Sequence, residues 1–216
     1  MVKIALGQKL KKHIHQEIAL AQDILVEELY ITFPTAILHG GTAIWRCYGG
    51  GRFSEDLDVY LPRDEQKIAS YWEKLKERGF ILEKKKVTAN SIYSTLQLQR
   101  QKVRFEALFL KKDNCLKEYE TISGNYLTVL TLTPEQFVEE KVNAYLNRKK
   151  IRDLYDIFFL LRFVQDRKGV LSFLKRLLDD FPAPADEEEL QVLILEGVVP
   201  SVQKMKEYIE RYCREG

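Results

Sequence analysis

A chain of 216 residues, 45% hydrophobic and 31% charged, has material for one sizeable domain or two small ones and the composition of an ordinary globular protein. A formal net charge of +2 excludes a nucleic-acid binder that works by bulk charge, so any basic surface must come from local clustering. Three widely spaced cysteines and three histidines exclude a zinc-type spacing and a disulfide framework, as in a cytoplasmic protein, and no apolar run suits a signal peptide or a membrane span.

Leu10, Ile14, Ile18, Ala21 and Leu25 recur at helical spacing and predict one helix from Gly7 to Tyr30, with His13 and His15 on its polar face. Pro34 closes it. Ala36 to His39 is a short apolar piece, and Gly40-Gly41-Thr42 opens a helix that runs through Cys47. Tyr48-Gly49-Gly50-Gly51-Arg52 is a loop, because consecutive glycines suit neither helix nor strand. Asp56 to Leu61 alternates and stops at Pro62, as a strand does. Asp64 to Arg78 reads as a helix with Ile68, Trp72 and Leu75 on one face and Gly79 as its stop.

Lys84-Lys85-Lys86 reads as solvated charge that would guide an RNA backbone if it flanked the site. Ile92 to Leu98 and Val103 to Leu110 form a strand pair turning near Arg100 and Gln101, and Tyr126 to Leu132 is a further strand. Thr133-Pro134-Glu135-Gln136 has the pattern of a helix start, with Thr as N-cap, Pro at N1 and Gln at N3. Phe137, Val142, Tyr145 and Leu146 mark the buried stripe of that helix. Helices follow at Asp153 to Val164, Val170 to Leu178 and Pro200 to Cys213, with a linker at Phe181 to Asp186. The chain thus divides into an α/β core with an N-terminal helix (residues 1–132) and a helical domain (133–216) that completes an active-site cleft.

The residues that carry chemistry cluster in Gly40-Gly41-Thr42 and Arg52-Phe53-Ser54-Glu55-Asp56-Leu57-Asp58. Residues two apart on a strand point the same way, so Asp56 and Asp58 share a face. Neighbouring carboxylates repel unless a cation lies between them, and Mg²⁺ is the natural one beside phosphates. Gly40 and Gly41 allow close approach of a triphosphate, and the amides of the helix they open offer an anion site. Thr42 and Ser54 are candidate hydroxyl donors, with Arg52 as a helper. On Val103 to Phe109 the alternation sends Arg104 and Glu106 away from the core, so Glu106 is a third candidate metal ligand.

The order GG-T then R-x-S-x-D-x-D resembles the nucleotidyltransferase superfamily that shares its fold with polymerase beta. Glu140-Lys141-Val142-Asn143-Ala144, Arg148 and Arg152-Asp153-Leu154-Tyr155-Asp156-Ile157 resemble the later motifs of its AbiEii/AbiGii-type toxins, which include the mycobacterial MenT toxins. The familiar first motif often reads GS where this chain has GGT.

The resemblance implies an α+β fold, with a polymerase-beta-like core, a mixed sheet and a C-terminal helical bundle. It implies that Asp56, Asp58, Lys141 and Asp156 are catalytic. The implied reaction is metal-dependent transfer of a nucleoside monophosphate from an NTP to an acceptor such as a tRNA 3′ end, releasing pyrophosphate. The implied partner is a cognate antitoxin. Transfer to a small molecule or protein, and a non-catalytic interaction module, are the competing readings.

One geometric requirement follows from the helical motifs. On one unbroken helix Lys141 and Asp156 would lie about 22 Å apart. A shared role therefore demands a break, expected in Asn147-Arg148-Lys149-Lys150, which leaves Asp153 near the start of the next helix.

Overall fold

A computed structural model describes residues 4–179 and 181–215; the first three residues of the N-terminal stretch weighed as a leader lie outside them. The chain divides into two compact units, residues 1–49 with 53–131, and residues 50–52 with 132–216.

The first unit is built on a seven-stranded mixed sheet. Its strands are β1 (Ile37–His39), β2 (Leu57–Tyr60), β3 (Phe80–Val87), β4 (Ser91–Leu98), β5 (Gln101–Leu108), β6 (Cys115–Glu120) and β7 (Tyr126–Thr131). They lie in the order β3-β4-β5-β2-β1-β7-β6, with β2 parallel to β5, β1 parallel to β7 and the other neighbours antiparallel. Leu38, Leu57, Val59, Val103, Phe105 and Ala107 alternate into a buried face, as the alternation of β2 and β5 predicts.

Among the described residues four helices belong to this unit: α1 (Leu6–Lys9), α2 (His13–Thr32), α3 (Gly40–Tyr48) and α4 (Glu65–Glu77). The single helix expected from Gly7 is broken at residues 10–12. Leu10 is buried there, its carbonyl accepting from Gln16 Nε2 at 2.8 Å, while Ile14 is exposed. Tertiary burial of Leu10 overrides the helical spacing. His15, expected on a polar face, stacks on Phe53 at 3.9 Å between centroids.

Besides β1, read only as a short apolar piece, two strands escape the sequence reading. β3 carries Lys84-Lys85-Lys86 and is an edge strand on which only Phe80 is buried, so no alternation marks it. β6 is the opposite edge. The turn between β4 and β5 falls at Gln99, with φ of 54°, and Arg100.

The second unit is helical among the described residues: α5 (Pro134–Arg148), α6 (Ile151–Leu160), α7 (Arg167–Asp179), α8 (Glu189–Leu193) and α9 (Val202–Arg214). Thr133 and Gln136 cap α5 reciprocally, and Pro134 sits at its first position. Phe137, Val142 and Tyr145 are fully buried, with Val138 beside them, whereas Leu146 is only half-buried. α6 and α7 both begin earlier than their apolar stripes suggest, and α8 grows out of the acidic run after the linker. The segment Gly50–Arg52 belongs to this unit: the Leu195 amide donates to the Gly51 carbonyl at 2.9 Å, and Arg52 bridges Ile194. A Cβ on Gly51 would stand 2.7 Å from the Tyr155 hydroxyl oxygen. No described helix is long and apolar enough to cross a membrane.

Candidate active site

In the first unit the acids gather where β1 ends and β2 begins. Thr42 is fully buried, and its hydroxyl donates to the Asp56 backbone carbonyl. Gln22 Nε2 donates to the Ser54 carbonyl at 2.9 Å. Phe53 is locked between His15 and the Trp45 ring, 4.9 Å away. These contacts fix the approach to β2 and so place Asp56 and Asp58. Thr42, expected at the nucleotide, thus spends its hydroxyl on the protein's own backbone; Ser54 remains half-buried at the mouth of the loop.

Asp58 pairs in register with Glu106 on β5 and with His39 on β1. Its carboxylate lies against Gly40, where an added Cβ would come within 2.0 Å of Oδ2. Gly40 also has φ of +72°, a region that costs other residues about 1–2 kcal/mol. Gly41 follows in the first turn of α3 and is buried. His39 stacks flat on Tyr60 at 3.9 Å.

Asp56 stands on the same face. The Arg104 guanidinium forks it, with Nε and Nη2 donating at 2.7 and 2.6 Å, and this contact holds Arg104 above its ordinary value. Glu106 is held above the usual carboxylate range, by burial first and then by the charges of Asp58 and Asp56. The three acids therefore share one electrostatic environment, as the alternation of β2 and β5 requires. Sequence reasoning put Arg104 on this face without a role; the β5 alternation is the only signal that could have pointed to one. Among the described residues no three His, Cys, Asp or Glu side chains are drawn together tightly enough to hold a metal by themselves.

The second unit holds the later motifs. α5 stops at Lys149, whose backbone is left-handed with φ of 54°, and α6 restarts at Ile151. The break brings Lys141 Nζ to 2.7 Å from Asp156 Oδ2 and 3.5 Å from Asp153 Oδ1. Arg148 forks Asp153 at 2.7 and 2.8 Å. Arg52 forks Asp156, Nε and Nη2 both donating at 2.6 Å. Burial alone would raise the Asp156 carboxyl; the Arg52 and Lys141 charges outweigh it and hold it below the usual range. Arg52, expected at the nucleotide, is itself buried and commits its guanidinium to Asp156.

The fold and the paired acids define the class: a nucleotidyltransferase core followed by a helical bundle. The family model "Nucleotidyl transferase AbiEii toxin, Type IV TA system" matches residues 23–194, and the chain belongs to that family of toxin–antitoxin nucleotidyltransferases.

Solved structures share the fold, MenT4 and JHP933 among them. MenT4, a nucleotidyltransferase toxin of Mycobacterium tuberculosis H37Rv, is 18% identical, with a TM-score of 0.67 over 96% of this chain and 86% of that one. JHP933 of Helicobacter pylori is 19% identical, with a TM-score of 0.66 over 94% of both chains. No curated protein matches the sequence significantly.

Proposed function

We propose that the protein transfers a nucleoside monophosphate from an Mg²⁺-bound NTP to an RNA acceptor, such as a tRNA 3′ end, and that a cognate antitoxin restrains it. The observation that carries this reading is the carboxylate face of Asp56, Asp58 and Glu106 beside Gly40, with Glu106 raised by its acidic neighbours. Such a donor set fits Mg²⁺, which uses one or two carboxylates and takes its remaining ligands from phosphates and water. Bound there, Mg²⁺ would neutralise charge developing on the phosphate oxygens.

The protein's own residues supply position and electrostatics. The absence of a side chain at Gly40 leaves room for the Asp58 carboxylate, and the first-turn amides of α3 would donate to phosphate oxygens, with Ser54 as a further hydroxyl donor. Glu106, held above the usual carboxylate range by burial and then by Asp58 and Asp56, would complete the set of acids that holds the cation. Arg104, whose guanidinium donates to both Asp56 carboxylate oxygens, balances the charge of that acid. Lys141 and Asp156 are the catalytic pair assigned to the second unit: Asp156, held by Arg52, orients the Lys141 ammonium.

The test is incubation with each labelled NTP and total RNA, with and without Mg²⁺. Label should enter RNA only with Mg²⁺, and Asp58→Asn should abolish transfer while circular dichroism stays native. Full activity in that variant removes the acids from the mechanism, and label entering protein or a small molecule instead of RNA refutes the acceptor.

A further inference from the structure

The sheet continues past the acids into a surface of different character. One register row runs from His39 through Asp58 and Glu106 to Tyr93 on β4 and Lys86 on β3. A second row joins Arg104 to Thr95 and Thr95 to Lys84. Residues in one row share a face of the sheet, so Lys84 and Lys86 stand on the face of the acids.

A bulge puts them there. Leu82 pairs with Leu96, which is buried on the opposite face, and simple alternation would send Lys84 and Lys86 after it. The register shifts between Leu82 and Lys84, so one extra residue, Glu83, turns both lysines over. Lys85 goes the other way, its Nζ 5.5 Å from the Trp72 ring centroid. Glu83 is tied to Lys102 at 2.8 Å. Lysines on an edge strand discourage edge-to-edge pairing, but that role does not require two of them to face the acids.

Lys84, Lys86, Tyr93, Arg104 and Glu106 border a shallow groove of about 260 Å³ in which Tyr93 is 44% exposed. Three strand spacings separate Asp58 from Lys86, about 14 Å. That span suits an extended polynucleotide, whereas a triphosphate has the α3 amides on the β1 side of Asp58.

We propose that this face of β3 and β4 binds the single-stranded end of the RNA acceptor, with Lys84 and Lys86 on backbone phosphates and Tyr93 stacked under a base. The proposal rests on the RNA reading above and adds the surface that recognises it. Phosphate contacts give salt-dependent affinity, and an exposed aromatic ring takes any base.

The experiment is fluorescence anisotropy of a labelled single-stranded RNA with the full chain, without NTP, at several salt concentrations. Wild type is compared with Lys84→Thr/Lys86→Thr, which keeps β propensity, and with Tyr93→Ser. The lysine variant should bind at least about tenfold more weakly at low salt, and its salt slope should fall by about 1.4, two phosphates at about 0.7 each. Tyr93→Ser should weaken binding without changing the slope, and the KM for NTP should hold in both. Absent binding by wild type, or equal binding by the lysine variant, overturns the proposal. So does a raised KM for NTP with RNA affinity intact. RNA bound through these residues but never labelled would refute the acceptor reading and leave the binding surface standing. Normal RNA labelling by the lysine variant would refute the surface alone.

Discussion

At the scale of single residues, Gly40 is required twice over. Its φ of +72° disfavours a side chain, and the space a Cβ would fill belongs to the Asp58 carboxylate. Gly40→Ala should therefore lower stability by about 1–2 kcal/mol in urea unfolding. It should reduce transfer far more than that, because Asp58 must turn away from the position proposed for Mg²⁺. Assaying protein verified as folded by circular dichroism separates the two effects, and near-normal transfer would show that Asp58 does not need its present position. The sequence exposed this much of the site: the glycines and the D-x-D spacing name the residues. It did not expose what each side chain touches. Thr42 turns inward because the Asp56 carbonyl lies in reach, and that contact depends on a loop 14 residues further on.

At the scale of elements, the break between α5 and α6 follows from arithmetic, since Lys141 and Asp156 cannot meet along one helix. The structure places it at Lys149, a non-glycine residue in the left-handed region, whose amide closes the helix on Tyr145 at 2.7 Å. Lys149→Gly should relieve that conformation and, after the entropy glycine adds to the unfolded chain, stabilise by about 0.5–1 kcal/mol. The readout is a higher urea midpoint with unchanged transfer; a lower midpoint would mean that the Lys149 side chain contributes more than its backbone costs. A capping signal made α5 legible, Thr133 accepting from the amide three residues on, whereas α4 was legible from its apolar face and from Gly79. β3 was illegible because a strand at a sheet edge, exposed on nearly every residue and interrupted by a bulge, carries no two-residue period.

At the scale of the whole molecule, a net charge of +2 conceals charge placed deep inside it. In the second unit Asp153 and Asp156 are buried among Lys141, Arg148 and Arg52. Arg52 and Asp156 lie 104 positions apart, which is why sequence proximity assigned Arg52 to the nucleotide beside Ser54 instead. Breaking a buried pair by removing one partner leaves the other charge poorly compensated and costs about 3–5 kcal/mol. Arg52→Met should show that loss near pH 7. The loss should depend on pH in a definite sense. Asp156 has a folded value below its ordinary 3.8, so its stabilisation is complete above that value and is lost as pH falls through the lower folded one. Without Arg52 the carboxyl rises, and protonation relieves the variant before it affects the wild type. The gap in unfolding free energy between wild type and Arg52→Met should therefore be widest at neutral pH and narrow below the ordinary carboxylate value. Urea unfolding at a series of pH values measures it, and a gap that stays constant into acid would show that Arg52 stabilises the unit through packing of its stem and not through the charge of Asp156.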